Sequence, residues 1–181
     1  MNCYREWAMP NKNTFKIEPI KKFVEKHIYG ASVIVDPFAN TSKYGTITND
    51  LCKDYNTDYH MDALDFLKII ETESVDVVLY DPPYSLRQVS ESYKSVGKEV
   101  TMETTQASWR KKHLDEIKRI LKVGGKCLCF GWNSNGVGAK RGFEMEEVLI
   151  VAHGGSHNDT ICTEEFKSSS QISFEDSYEF L

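Results

Sequence analysis

The sequence predicts an α/β fold with a mostly parallel sheet and an antiparallel hairpin near its C-terminal end. Short, nearly continuous apolar runs indicate strands that are covered on both faces, which is the usual condition of a parallel sheet. Amphipathic helical patterns lie between those runs, as right-handed strand–helix–strand crossovers require. Near the C-terminus two strand-like runs flank a polar turn, and this arrangement favours a hairpin.

The individual elements follow from these patterns. The predicted strands of the parallel part cover residues 32–35, 45–48, 75–80 and 127–130. The predicted helices cover residues 17–28, 62–70 and 108–121. Gly124 and Gly125 are expected to end the last helix, because glycine readily adopts the left-handed conformation found after helices. The predicted hairpin is formed by residues 147–152 and 160–163.

Length and composition exclude several classes of protein. The chain has 181 residues, of which 40% are hydrophobic and 27% charged, the profile of one globular domain. No apolar run approaches the roughly 20 residues that cross a bilayer, and no apolar segment follows Arg5, so we expect neither a membrane span nor a secretory signal. The net charge of −5 argues against a protein that coats nucleic acid, but not against an enzyme that touches it through one face. We expect residues 1–167 to form one domain and residues 168–181 a loose acidic tail.

The cysteines and histidines are expected to have structural roles. The five cysteines are odd in number and contain no C-x-x-C pair, which indicates buried, reduced thiols in a cytoplasmic protein. His153 and His157 flank a glycine-rich turn near Asp159, but no cysteine or third ligand has suitable spacing for a metal. The sequence therefore predicts hairpin histidines and no metal site.

The most informative segment is Asp81-Pro82-Pro83-Tyr84, directly after the apolar run 75–80. The paired prolines keep the backbone extended and remove two N–H donors. The segment therefore presents a carboxylate, free carbonyls and an aromatic ring at the carboxyl edge of the sheet, where open α/β folds bind their ligands.

This segment, residues 81–84, is called the ledge below, and its groups are suited to bind the exocyclic amine of a flat base. The lone pair of such an amine is delocalised into the ring, so the amine is a poor nucleophile. Hydrogen bonds from the amine to the Asp81 carboxylate and the Pro82 carbonyl would localise the lone pair, while Tyr84 stacks on the ring. A methyl group on a sulfonium in line with the nitrogen could then transfer directly, helped by positioning and electrostatics.

Further residues at the predicted strand ends strengthen this interpretation. Asp36-Pro37-Phe38 follows the first predicted strand, Asp50 follows the second, and Asp62 opens a helix. Together with Asp81-Pro82-Pro83-Tyr84, these residues make the chain resemble the DPPY-type amino-methyltransferases that use S-adenosylmethionine. Within that family it is most similar to small phage-type DNA adenine N6-methyltransferases, over most of residues 5–167. The resemblance implies the Rossmann-like class I methyltransferase fold and a location in the cytoplasm of a bacterial or phage-infected host cell.

The resemblance also implies which residues hold the cofactor. Asp50 matches the position that holds the ribose, and Asp62 matches the position that contacts the adenine, although Asp62 is equally well explained as a helix cap. The implied cofactor-binding residues are Asn13, Thr14, Phe15, Asp36, Pro37, Phe38, Asn40, Asp50, Asp62 and Ala63. The chain departs from the family in its loop 39–45, which has fewer glycines; asparagine and serine tolerate unusual turns, and Gly45 can supply the missing freedom.

Nucleic-acid contacts are expected from loops and from basic faces, because Asp36 and Asp81 are only 45 positions apart, which leaves no room for a separate recognition domain. The segment 85–107 is polar and poor in periodicity, and we interpret it as a mobile DNA-probing loop. Its candidate DNA contacts are Arg87, Tyr93, Lys94 and Lys98. The other candidates, which also suit a solvated charged face, are Arg110, Lys111, Lys140 and Arg141.

The sequence thus predicts methyl transfer from S-adenosylmethionine to adenine N6 in DNA, with duplex favoured over single strands. Asp81, Pro82, Pro83 and Tyr84 are the predicted catalytic residues. The same motif leaves cytosine N4, RNA or a protein amide open as substrates. A further alternative is a non-catalytic binding module whose altered loop no longer holds the cofactor. The sequence leaves the oligomeric state open.

Overall fold

A computed structural model of the chain describes residues 1–97 and 107–168, which form one seven-stranded sheet with helices on its faces. The strands are β1 (Asn2–Trp7), β2 (Ile34–Asp36), β3 (Ile47–Thr48), β4 (Val75–Tyr80), β5 (Leu121–Gly131), β6 (Phe143–Ala152) and β7 (Thr160–Lys167). The helices are α1 (Glu18–Ile28), α2 (Ala63–Ile69), α3 (Leu86–Ser95) and α4 (Ala107–Ile120). No helix in the described segments has the length and apolar character needed to cross a membrane.

The strand order β1-β6-β7-β5-β4-β2-β3 confirms the predicted fold class. Neighbours from β3 to β5 run parallel, as do β1 and β6, whereas β7 is antiparallel to both β5 and β6. The carboxyl ends of β2, β3, β4 and β5 therefore lie at one edge of the sheet. This edge brings the predicted functional segments together.

The core has two layers, one on each face of the sheet. Alternation along β4 divides its side chains between them: Val78 and Tyr80 pack with α2 and α4, whereas Val77 and Leu79 pack with α1. Burying a side chain of this size contributes about 1.5–3 kcal/mol. Because both faces are covered, the end of β4 and the residues after it are held firmly between two helical layers.

Strand β1 has no counterpart among the sequence-based predictions. Its residues are exposed along the whole strand, so the sequence carries neither an apolar run nor an alternating pattern there. Instead, β1 is held by parallel pairing with β6, and the Tyr4 hydroxyl donates a hydrogen bond to Glu147. Backbone pairing at a sheet edge stabilises a strand that burial alone would not predict.

Two predicted boundaries are wrong. Helix α4 ends at Ile120, before Gly124 and Gly125, because residues 121–131 already pair with β4 across a register shift. The predicted loop 85–107 contains α3, whose first turn is capped by the Ser85 side chain, which accepts a 3.2 Å hydrogen bond from the backbone N–H of Gln88. Residues 98–106 of that loop, and residues 169–181 of the predicted tail, lie outside the described residues.

Three of the five thiols are buried, as the sequence predicts, and His153 has a structural role in the hairpin. Cys127, Cys129 and Cys162 are buried and free, while Cys3 is exposed on the edge strand. His153 bonds to the carbonyl oxygen of Ala8 and to the Thr160 hydroxyl, both at 2.8 Å. His153 therefore fastens the β6–β7 hairpin to the end of β1.

Candidate active site

A cavity of about 1050 Å³ opens at the carboxyl edge of the sheet. Its volume is just above the usual range of small-molecule sites in proteins, roughly 300–1000 Å³. Of the predicted site residues, those that line it are Asn13, Thr14, Phe15, Pro37, Phe38, Asn40, Asp50, Asp62, Ala63, Asp81, Pro82, Pro83, Tyr84 and Tyr93. The fold thus gathers segments that are widely separated in the sequence around one space.

The Asp81 carboxylate lies at the end of β4 and faces this cavity. The Tyr84 hydroxyl donates a 2.6 Å hydrogen bond to Asp81 Oδ1, and the Thr14 hydroxyl lies 3.4 Å from the Tyr84 oxygen. Burial raises the pKa of Asp81 to about 6, because it disfavours the charged form, while the hydrogen bond from Tyr84 opposes that rise. At neutral pH the carboxylate is therefore ionised and able to accept further hydrogen bonds.

Tyr84 is fixed at both its backbone and its ring. Its backbone N–H donates a 2.6 Å hydrogen bond to Gln88 Oε1 on α3. Its ring meets the edge of Trp132, just beyond β5, with centroids 5.8 Å apart and an interplanar angle of 68°. These contacts, and the two rigid prolines before it, hold the aromatic side chain beside the Asp81 carboxylate.

Asp36 is the one predicted cofactor residue that does not line the cavity. Its side chain is fully buried at the end of β2, beneath the loop, where Oδ1 accepts a 3.2 Å hydrogen bond from the Phe38 N–H. Oδ2 has no hydrogen-bond partner among the described residues. Burial raises the pKa of Asp36 to about 8, so the group is largely protonated at neutral pH. The structure therefore does not bring Asp36 to the cavity with the other predicted cofactor residues, because the chain packs over its side chain.

The loop after β2 obtains its turn from Asn40 and its close packing from Gly45. Asn40 adopts a left-handed conformation with φ of 49°, which asparagine tolerates better than most residues. A Cβ on Gly45 would lie 2.9 Å from Asp36 Cβ and 2.9 Å from Thr48 Cγ2. Gly45 is therefore required for close packing on β2, and the expected backbone freedom at the cavity comes from Asn40 instead.

Asp50 fastens this loop to the end of β3. Its two carboxylate oxygens accept hydrogen bonds from the backbone N–H groups of Asn40, at 2.9 Å, and Cys52, at 2.8 Å. The Asn40 side chain in turn donates to Asn13 Oδ1 at 3.3 Å, which ties the loop to the segment before α1. Burial raises the pKa of Asp50, and these hydrogen bonds oppose the rise.

Asp62 has the cap role that the sequence left open. Its Oδ1 accepts a 2.9 Å hydrogen bond from the Leu64 N–H at the start of α2. Its Oδ2 accepts a hydrogen bond from the Tyr93 hydroxyl of α3. Tyr93, which the sequence predicts as a DNA contact, is buried and joins α3 to α2 along the cavity wall.

The predicted basic contacts divide into exposed and structural residues. Arg87 and Lys94 are exposed on α3, where Arg87 pairs with Glu91 at 2.8 Å. Lys111 and Lys140 are exposed as well, and Lys98 lies outside the described residues.

Two of the predicted phosphate contacts are engaged within the protein. Arg110 donates to the Gly136 carbonyl at 3.1 Å and lies over the Tyr80 ring, 5.8 Å from its centroid. Arg141 pairs with Asp115 at 2.8 Å. These two arginines hold α4 against the connection between β5 and β6, which makes them poor candidates for phosphate contact.

The structure also shows site residues that the sequence interpretation missed. Asn49, directly after β3, donates through its side chain to the carbonyls of Pro37 and Met61, both at 3.1 Å, and so joins two loops of the cavity wall. Its place at a strand end was the available signal. Lys12, Lys16 and Gln88 also line the cavity. The sequence offered no periodic or motif signal for these three residues.

The sheet order and the ligand-sized cavity at its carboxyl edge define the Rossmann-like fold of class I methyltransferases. Solved structures with this fold resemble the chain, although no protein-family model and no curated protein matches its sequence.

Three of these structures illustrate the likeness. A 1,6-didemethyltoxoflavin-N1-methyltransferase from Burkholderia thailandensis, solved with bound S-adenosylhomocysteine, has a TM-score of 0.58 at 9% identity, covering 84% of this chain and 78% of that one. The N-methyltransferase NodS from Bradyrhizobium japonicum WM9, in complex with S-adenosyl-L-homocysteine, has a TM-score of 0.54 at 11% identity, covering 88% and 90%. NSun6 from Pyrococcus horikoshii, solved with SFG, has a TM-score of 0.52 at 16% identity and covers 77% of this chain; the chain spans 48% of NSun6. At such identities the likeness establishes the fold.

Proposed function

We propose that the chain is an S-adenosylmethionine-dependent methyltransferase that methylates adenine N6 in duplex DNA, in the cytoplasm of a bacterial or phage-infected cell. One observation carries the proposal. The segment Asp81-Pro82-Pro83-Tyr84 leaves β4 at the carboxyl edge of a methyltransferase fold and faces a cavity of about 1050 Å³. A buried strand ending in this segment has the acceptors and the aromatic ring that an amine on a flat base requires.

The cavity fits the proposed cofactor in size and in chemistry. Neighbouring structures with the same fold hold S-adenosylhomocysteine, the demethylated form of that cofactor. Asp50 and Asn40 would take the ribose end, because each Asp50 oxygen has lone-pair capacity beyond the one backbone N–H it accepts. Asn13 and Thr14 would cover the methionine end. When bound, the cofactor supplies a methyl group on a sulfonium.

The residues of the ledge would activate the amine. Asp81 is ionised above about pH 6, and its second oxygen can accept from the amine while Oδ1 keeps the Tyr84 bond. The Pro82 carbonyl, whose own residue has no N–H, is a second acceptor. On methylation, in which an N–C bond would replace the C–S bond of the cofactor, the amine would lose one proton, and the Asp81 carboxylate would accept it. Positioning and fixed charge of this kind are large contributions to catalysis.

A base in duplex DNA must leave the stack to reach this ledge. The Tyr84 ring, supported by Trp132, offers an aromatic face for it, and the exposed Arg87 and Lys94 on α3 are available to the phosphate backbone. Cytosine, RNA bases and protein side-chain amides also carry an NH2 group whose lone pair is delocalised. They are outcomes that the product analysis separates.

Product analysis tests the proposal. The protein is incubated with labelled S-adenosylmethionine and, separately, with mixed-sequence duplex DNA, single-stranded DNA, RNA and cell protein, and the modified unit is identified by mass. We expect N6-methyladenine as the product, formed more rapidly in duplex DNA than in the other substrates. N4-methylcytosine, methylated RNA or methylated protein as the main product would overturn the assigned substrate.

Cofactor binding is tested apart from transfer. A thermal-shift titration should raise the unfolding midpoint with cofactor concentration, since a ligand at 100 times its Kd stabilises by about 2.7 kcal/mol. Asp50→Asn is expected to weaken that shift, whereas Asp58→Asn, outside this cavity, should leave it unchanged. Absence of any shift with the wild-type protein at millimolar concentrations would favour a non-catalytic binding module.

A further inference from the structure

The carboxamide of Gln88 has an orientation that chemistry fixes. Its side chain accepts a 2.6 Å hydrogen bond from the Tyr84 backbone N–H. Because a backbone N–H can only donate, the accepting atom must be the amide oxygen. The amide nitrogen, with its two N–H donors, therefore points away from the Tyr84 backbone. Gln88 lines the cavity together with Asp81 and Tyr84, so these donors belong to the same wall as the catalytic ledge.

The ledge itself has few donors to offer. Pro82 and Pro83 have no N–H. The Tyr84 N–H is bonded to Gln88, and the Tyr84 hydroxyl is bonded to Asp81 at 2.6 Å. Of the residues 81–84 and 88 that line the cavity, Gln88 is the one whose side chain retains N–H donors for a ligand.

The proposed substrate requires such a donor. In adenine the amine is attached to C6, and N1, on the same carbon, is an acceptor. An amine that donates to Asp81 and Pro82 brings that ring nitrogen to the same wall. A buried acceptor left without a donor costs about 1–3 kcal/mol, so a matching N–H at this place contributes to recognition.

We propose that the Gln88 carboxamide, held by the Tyr84 backbone, donates a hydrogen bond to N1 of the target adenine and so selects bases with an acceptor beside the amine. This inference rests on the proposed function. Gln88 is then a specificity residue that contacts the substrate, in addition to supporting Tyr84.

The variant Gln88→Glu separates these two roles. A carboxylate still accepts the Tyr84 N–H but cannot donate to a ring nitrogen. At about pH 8 the variant should keep the thermal midpoint and the cofactor affinity of the wild type, and its kcat/KM for duplex DNA should fall about 10- to 100-fold. An unchanged kcat/KM would overturn the proposal.

A substrate analogue isolates the contact itself. Duplexes carry 1-deazaadenine at the target position, which lacks the N1 acceptor, or 7-deazaadenine as the matched control. The 1-deaza change should lower the wild-type kcat/KM by at least about tenfold more than it lowers that of Gln88→Glu, because the variant has no donor left to lose. The 7-deaza change should affect both enzymes equally.

The outcomes also distinguish the two proposals. Equal losses from 1-deazaadenine in both enzymes, or unequal losses from 7-deazaadenine, would overturn the role of Gln88 while wild-type N6-methyladenine formation upheld the enzyme. Failure of the wild type to form N6-methyladenine in ordinary duplexes would overturn both.

Discussion

Replacing Asp36 with asparagine is expected to remove a large pH dependence from the stability of this protein. The side chain is fully buried, Oδ1 accepts from the Phe38 N–H, and Oδ2 has no hydrogen-bond partner among the described residues. Burial raises the pKa of Asp36 from 3.8 to about 8. The folded protein therefore keeps a proton there that the unfolded chain has already released.

The magnitude follows from this difference in proton binding. A carboxyl whose pKa is raised by folding favours the folded state at low pH, and this stability is lost as pH rises toward the folded pKa. The loss is about 1.4 kcal/mol for each pH unit between the unfolded and the folded pKa. Between about pH 6 and about pH 8.5, Asp36 alone should lower the free energy of unfolding by about 2.5 kcal/mol. Asparagine cannot ionise and should abolish that part.

Urea denaturation of wild type and Asp36→Asn at about pH 6 and about pH 8.5 measures the effect. The difference between the two proteins should change by about 2.5 kcal/mol in favour of the variant at the higher pH. Asp76→Asn is the matched control: hydrogen bonds from Lys122 and from backbone N–H groups lower the pKa of Asp76, so its effect on stability should be equal at both pH values. A difference for Asp36→Asn that does not change with pH would refute the reasoning.

Three further changes test other parts of the structure. The rate of methyl transfer should fall below about pH 6, because Asp81 is then protonated. Tyr84→Phe should move this fall to higher pH, because the hydrogen bond from the Tyr84 hydroxyl lowers the pKa of Asp81. Rates measured from about pH 5 to about pH 8 test both expectations. Gly45→Ala should lower the free energy of unfolding by about 1–3 kcal/mol, since its Cβ would lie 2.9 Å from two side-chain atoms. Lys126→Met should lower it by about 1–3 kcal/mol, because it removes the 3.0 Å ion pair of the fully buried Glu164 and leaves His27, 3.9 Å away, as its partner, whereas Lys126→Arg should not. Unchanged urea midpoints would contradict the last two.

The sequence predicts well those elements whose buried positions form an apolar run or a regular apolar pattern. β4 is covered on both faces and reads as a continuous apolar run, and α1 and α2 show a clear helical stripe. β1 could not be found this way because its residues are exposed and its stability comes from pairing with residues 147–152. The sequence predicts a loop in place of the polar helix α3, whose cap at Ser85 has no accompanying apolar pattern in the sequence.

Site residues can be predicted from the sequence where a motif fixes the backbone. They are harder to predict where tertiary packing decides whether a side chain reaches the cavity. The two prolines after Asp81 make the ledge recognisable in the sequence. In contrast, Asp36 and Asp50 both lie at the carboxyl end of a strand, yet Asp36 is buried under the loop and Asp50 lines the cavity. Their local sequences do not distinguish these outcomes, since tertiary packing, such as that of Gly45 on Asp36, is not visible in them. Gln88 enters the site through a backbone contact that no side-chain pattern reports.

A single-turnover transfer experiment tests whether the Asp81 carboxylate activates an adenine amine for methylation. Wild type and Asp81→Ala are each mixed in excess with a short duplex and labelled S-adenosylmethionine, and N6-methyladenine is followed by mass, with cofactor affinity measured for both. We expect the wild type to form N6-methyladenine and Asp81→Ala to bind the cofactor but to transfer the methyl group at least about 100-fold more slowly. Equal rates in the two proteins, or no N6-methyladenine from a wild type that binds the cofactor, would contradict it.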